Sequence, residues 1–128
     1  MHILQIDDDE DEFIFLQLAI KGMQDIKCSY ANTIWNGIEL LKTGLPNIVL
    51  LDINMPDVNG LECLRQIKLT ENIAKIPVFV LSSSVTERCR AEAHKLGAAG
   101  CYVKPDSVTL LKKTIFGMLQ KMAAGGET

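Results

Sequence analysis

Three observations predict a doubly wound α/β domain for this chain of 128 residues. Strand-like and helix-like apolar patterns alternate along its whole length. The run Ile48-Val49-Leu50-Leu51, set between Pro46 and Pro56, is apolar at every position, as in a parallel strand covered on both faces. Polar and charged residues capable of chemistry stand just beyond several of these runs, where open parallel sheets bind ligands.

The elements follow in order. His2 to Ile6 is predicted as a strand. Glu10 to Met23 is predicted as a helix with Phe13, Leu16, Ile20 and Met23 at helical spacing. Ile26 to Ala31 is a second strand, and Thr33 to Lys42 a second helix carrying Ile34, Ile38 and Leu41. The alternation continues with strand 47–51, helix 59–69, strand 76–82, helix 86–96, strand 100–103 and helix 107–122. Five strands alternating with five helices imply right-handed crossovers and a parallel sheet between two helical layers. Gly22, Gly44 and Gly97 fall near predicted helix ends, where a left-handed exit is wanted. Residues 1–123 are read as one domain and 124–128, rich in glycine, as a flexible tail.

Composition excludes several function classes. The chain is 48% hydrophobic with a net charge of −3, enough for a core without metal or disulfide staples. With no Lys/Arg cluster, direct nucleic-acid binding is not expected. Cys28, Cys63, Cys89 and Cys101 form no C-x-x-C pair and are read as small core hydrophobes. No signal peptide and no membrane-length apolar stretch is seen, so a cytoplasmic protein without membrane insertion is expected.

The chemistry is expected at the strand ends. The first strand runs into Asp7 and Asp8, the third into Asp52, the fourth ends at Ser82, and the fifth leads to Lys104 before Pro105. Two carboxylates ~4 Å apart repel by about 1 kcal/mol in water and about 4 kcal/mol at an effective dielectric near 20, so three gathered together demand a cation. A hard, oxygen-seeking divalent ion suits them, and Mg²⁺ is commonly held by one or two carboxylates together with phosphate oxygens. Asp52 is then placed to attack phosphorus as a carboxylate nucleophile. Mg²⁺, Lys104 and the Ser82 hydroxyl would each cover one phosphoryl oxygen.

Asp7-Asp8, Asp52 followed by Met55-Pro56 and Asn59-Gly60, Ser82, and Lys104-Pro105 together resemble the receiver domain of two-component response regulators, of the single-domain chemotaxis-regulator type. The resemblance spans essentially the whole chain, and the Cys101-Tyr102 pair is similar to a phytochrome-associated subgroup. It implies a flavodoxin-like sheet of order 2-1-3-4-5, with Asp52 as phospho-acceptor. It implies a metal site of Asp8, of Asp7 through water, of Asp52 and of the Asn54 backbone carbonyl. It also implies a cis bond before Pro105 and a face of the fourth helix, fifth strand and fifth helix that shifts when Ser82 is drawn inward. Its partners would be a sensor histidine kinase or histidine phosphotransfer protein and a downstream protein target. Phosphorelay signalling by a switch with no outside substrate follows. In many receivers an aromatic residue stands where Cys101 aligns, with Tyr102 one residue later and so on the opposite face.

Other readings of the same residues stand beside this one. The run Asp7 to Glu12 also suits a solvated helix start, and Asp9 to Glu12 are assigned to one. A haloacid-dehalogenase-type phosphatase shares the Asp nucleophile, Mg²⁺, hydroxyl and lysine. It needs an acid two residues after the nucleophile, where this chain has Asn54. A receiver-like scaffold that takes no phosphate is the third reading. Phe15 and Leu18 lie off the core stripe of the first helix and are candidates for docking the four-helix stem of a kinase, or for packing on the fifth helix. Trp35 is assigned to packing, and His94 to a helix surface.

Overall fold

The computed structural model describes residues 1–55 and 59–125, and places strands and helices in strict alternation. They are β1 (His2–Ile6), α1 (Glu10–Ile20), β2 (Lys27–Ala31), α2 (Ile34–Lys42), β3 (Ile48–Leu51), α3 (Gly60–Leu69), β4 (Val78–Ser82), α4 (Glu87–Lys95), β5 (Gly100–Val103) and α5 (Val108–Gly125). The turn expected over Pro56, Asp57 and Val58, and the last three residues of the expected tail, lie outside the described residues.

All four strand pairs are parallel, and the sheet order is β2-β1-β3-β4-β5, as the resemblance implied. Every residue of β3 and β4 is buried, because helices cover both faces of the sheet. Alternation along β3 sends Val49 and Leu51 into a core shared with α2, α3 and α4, and Ile48 and Leu50 into a second core under α1 and α5. The first core also holds Leu4, Ile6, Val80 and Cys101. The second holds Ile3, Phe79, Leu81, Ile115 and Met118.

Helix starts are fixed by side-chain caps. Asp9, Thr33, Asn59 and Thr86 accept from the backbone N–H of Asp11, Asn36, Leu61 and Cys89, each at 3.0 or 3.1 Å. Ser107 Oγ does the same for Leu110 at 3.1 Å. Such caps satisfy donors that the first helical turn leaves free. The predicted helices that began one residue early had counted these caps as helix. α1 ends at Ile20 and not at Met23, because the chain leaves through Gly22 at φ +85°, a conformation that favours glycine. α5 continues to Gly125, beyond the predicted end at Met122.

Two expectations are corrected here. Trp35, assigned to packing, is 69% exposed on α2: Ile34, Gly37 and Leu41 form the buried face, and position 35 falls outside that arc. The Lys104–Pro105 bond is trans, and Lys104 enters the site from that backbone. Of the cysteines, Cys63 and Cys101 are buried while Cys28 and Cys89 are half-buried, and all four are free. Burial pushes the Cys63 thiol up to about 12, which keeps it protonated. Phe15 packs against the second core, whereas Leu18 and Ile14 are about half exposed. His94 is exposed, as expected.

Candidate functional site

The sheet itself delivers the site. Parallel neighbours end together, so the residues that follow β1 and β3 emerge side by side: Asp52 N–H donates to the Ile6 carbonyl at 2.9 Å, and Asp7 N–H to the Ala31 carbonyl at 3.1 Å. One carboxylate oxygen from each of Asp7, Asp8 and Asp52 lies within 4.8 Å of the others. Asp7 and Asp52 are buried and Asp8 is exposed, so the cluster opens to solvent on one side. β4 adds the fully buried Ser82, whose hydroxyl donates to Asp52 Oδ1 at 3.2 Å.

Lys104 is tied to the end of β4 through its N–H, which donates to the Ser82 carbonyl at 2.7 Å. Its ammonium lies 2.8 Å from Asp7 Oδ2, 3.5 Å from Asp52 Oδ2 and 3.8 Å from Glu12 Oε1. The five side chains expected to act, Asp7, Asp8, Asp52, Ser82 and Lys104, are therefore brought together. Asn54 is present as well, with its N–H donating to Asp52 Oδ1 at 3.0 Å.

Electrostatics here is a contest between burial and pairing. Burial pushes the Asp7 carboxyl up to about 6, with repulsion from Asp52 adding to it; the Lys104 ammonium and the Asp9 N–H oppose the rise without cancelling it. For Lys104 burial is the largest single influence and favours the neutral amine. Asp7, Asp52 and Glu12 together outweigh it and hold the ammonium charged, above its ordinary range.

The sign of the resulting pH dependence is fixed. Between the ordinary value of 3.8 and about 6, the folded protein keeps a proton on Asp7 that the unfolded chain has released, so stability falls as pH rises through that window. Asp7 should thus cost up to roughly 3 kcal/mol at neutral pH, at ~1.4 kcal/mol per pKa unit. Urea denaturation in chelator should show wild-type protein gaining stability from pH 7 to pH 5, with most of that gain absent in Asp7→Asn. Equal profiles for the two proteins would contradict the assignment.

Two contributions escaped the sequence reading. Glu12 was assigned to the solvated face of α1, yet from the first turn of that helix it reaches Lys104 at 3.8 Å. The Asn54 side chain is the other: its Nδ2 donates to Ser82 Oγ at 2.5 Å and to the Ser84 carbonyl at 3.3 Å. On β5, Cys101 faces the core under α4, whereas Tyr102 turns to the opposite core and lies 6.1 Å from Phe79 between ring centroids. The face of β5 that carries an aromatic in many receivers therefore carries a thiol here.

Comparison with known proteins agrees with this geometry. The family model described as the response regulator receiver domain matches residues 3–116. The chain is 31% identical over 118 residues to a probable cyclic di-GMP phosphodiesterase of Vibrio cholerae serotype O1, a match covering 92% of this chain and 26% of that protein. It thus spans about a quarter of that relative's length. With protein PilH of Pseudomonas aeruginosa it shares 29% identity over 119 residues, covering 91% of this chain and 96% of PilH. The crystal structure of the Mn²⁺-bound form of response regulator Rcp1 superimposes with a TM-score of 0.76 at 25% identity, covering 91% of this chain and 90% of that one. Since the family match extends from β1 into α5, a span that contains Asp7, Asp8 and Asp52, the chain belongs to the response regulator receiver domains of two-component signalling.

Proposed function

We propose that this receiver is a Mg²⁺-dependent phospho-acceptor whose Asp52 takes a phosphoryl group from a phosphohistidine and whose altered surface then binds another protein. The observation that carries the reading is the convergence of three carboxylates within 4.8 Å, with a lysine ammonium reaching two of them. The donor set fits a hard divalent ion: all three residues offer carboxylate oxygen within 4.8 Å of one another, and the exposed Asp8 leaves the cluster open to solvent. Asp8 and Asp52 would hold the ion directly, Asp7 through water, and the Asn54 carbonyl would complete the shell. When bound, Mg²⁺ supplies the positive charge that lets an anionic carboxylate approach an anionic phosphoryl group. The Mn²⁺ carried by Rcp1, an ion of similar hardness, supports this assignment.

The chain's own residues then divide the work. An oxygen of Asp52 forms the new O–P bond while the P–N bond to the donor imidazole breaks, and the electron pair leaves with the nitrogen, which a proton from solvent can neutralise. Lys104 and the Ser82 hydroxyl stand where they can take up charge on the phosphoryl oxygens. Burial of Asp52 limits water at the acyl phosphate. Asn54, two residues after the acceptor, has no carboxyl with which to activate water, so the bond should persist, as a switch requires. The chain acts by changing partners in the cytoplasm and not by turning over an outside substrate. A histidine kinase or histidine phosphotransfer protein supplies the phosphoryl group.

Acetyl phosphate tests the chemistry directly, since P–O cleavage with acetate leaving replaces P–N cleavage. Intact mass should rise by one phosphoryl group per chain with Mg²⁺ present and stay unchanged in chelator. Steady hydrolysis of phosphate esters with no retained label would overturn the reading.

A further inference from the structure

Asn54 lies outside the sheet and is exposed, yet among the described residues of its loop its side chain alone bonds both Ser82 and Ser84. Its N–H donates to Asp52 Oδ1 at 3.0 Å, and its Nδ2 donates both to Ser82 Oγ at 2.5 Å and to the Ser84 carbonyl at 3.3 Å. Ser82 Oγ in turn donates to the same Asp52 Oδ1 at 3.2 Å. These contacts close a ring that runs from the Asn54 backbone to Asp52 Oδ1, on to the Ser82 hydroxyl, and back to the Asn54 side chain. A second branch reaches the loop between β4 and α4.

The direction of each bond matters. A hydroxyl has one proton to give, and a short bond from an amide donor claims one of its lone pairs. With Asn54 Nδ2 donating to Ser82 Oγ, the serine proton is left pointing at Asp52 Oδ1. Oδ1 then carries two donors, while Oδ2 faces Lys104 at 3.5 Å. The ring therefore leaves Oδ2 as the acceptor oxygen without a hydrogen bond from this loop, and it parks the hydroxyl on the other.

We infer that the Asn54 carboxamide is a positioning residue that latches the resting receiver: it fixes the direction of the Ser82 hydroxyl and, through the Ser84 carbonyl, ties the β4–α4 loop to the phospho-acceptor. The inference deepens the proposed function by naming what phosphorylation must undo. For the Ser82 proton to reach a phosphoryl oxygen it has to leave Oδ1, which breaks the ring. Movement of Ser82 toward the phosphoryl group then draws it off Asn54 Nδ2, and the single side chain that held both Ser82 and Ser84 no longer spans them. The chemical event at Asp52 is thereby passed to backbone at the start of α4.

Hydrogen exchange on the unphosphorylated full chain in chelator tests the latch without any phosphate, so its outcome is separate from that of phosphoryl transfer. Amides of residues 83–86 should exchange roughly fivefold faster in Asn54→Ala than in wild type, the size expected when a hydrogen bond of ordinary net strength is lost. Amides of α2 and α5 should be unaffected. Asn54→Asp keeps the size of the side chain but has no N–H to donate, and it should match Asn54→Ala at 83–86. Wild-type-like exchange in Asn54→Asp would mean that the side chain only fills space, and unchanged exchange in Asn54→Ala would remove the latch altogether. In a second arm, wild type treated with acetyl phosphate and Mg²⁺ should show the same acceleration at 83–86. Labelled protein whose loop stays protected would also overturn the inference.

Discussion

Asp52→Asn is expected to take up no phosphoryl group from acetyl phosphate or from a phosphohistidine donor, and still to fold. The argument is one of charge and shape. Asparagine matches aspartate in size, and its carbonyl oxygen can go on accepting from the Asn54 N–H and the Ser82 hydroxyl, the two donors now on Oδ1. What it lacks is an anionic oxygen able to form the bond to phosphorus. It also removes one of three carboxylates crowded within 4.8 Å, so any repulsion it contributes to the resting fold is relieved. Lys104 keeps its nearest partner, Asp7, at 2.8 Å. Loss of labelling should therefore come with a melting temperature no lower than that of wild type. Persistent, Mg²⁺-dependent labelling of the variant, traced by peptide mass to another residue, would move the acceptor elsewhere.

Gly60→Ala is expected to cost about 3 kcal/mol or more, at the upper end of what overpacking does. A Cβ on Gly60 would sit 2.1 Å from Ile53 Cα, 2.7 Å from Ile53 Cβ and 2.9 Å from the Asp52 carbonyl oxygen. Two of these three atoms are backbone, so no rotamer change can make room. Either the first turn of α3 moves away or the chain just after Asp52 does. Heat denaturation should show the midpoint about 10 °C below wild type, given that 1 kcal/mol shifts a domain of this size by ~3–5 °C. The surviving folded protein should also label more slowly with acetyl phosphate, because the clash falls on Ile53 and the Asp52 carbonyl, next to the acceptor side chain. A midpoint within about 2 °C of wild type would show that the contact is easily relieved.

These contacts mark where sequence reading succeeds and where it stops. β3 was legible because four apolar residues between prolines have few alternatives. The order of the strands was not in the pattern at all and came from the resemblance. Asp7, Asp8, Asp52, Ser82 and Lys104 were legible because each stands at the mouth of a strand, and a parallel sheet brings such mouths together whatever the loops do. Glu12 and the Asn54 side chain were not, since their roles depend on where a helix face and a loop carboxamide end up in space. Gly60 was legible only as part of a motif; the reason for it, an α3 that starts in van der Waals contact with Ile53, is a distance. Trp35 failed for a different reason: a tryptophan among aliphatic residues invites assignment to the core, but the helix needed only the positions of Ile34, Gly37 and Leu41.

The separation of the interior into two apolar compartments, one on each side of the sheet, has a mechanical consequence. Side chains of successive residues on β3, β4 and β5 belong to different rooms, with the hydrogen-bonded backbone as the wall between them. A methyl group removed from Val80 should be felt by α3 and α4, and one removed from Leu81 by α1 and α5, with little exchange between the two. At the rim, where the strands run out into Asp7, Asp52 and Lys104, the wall ends and charged groups take the place of both apolar clusters. A single charge placed there can lean on both sides at once, whereas a change deep in either room stays local.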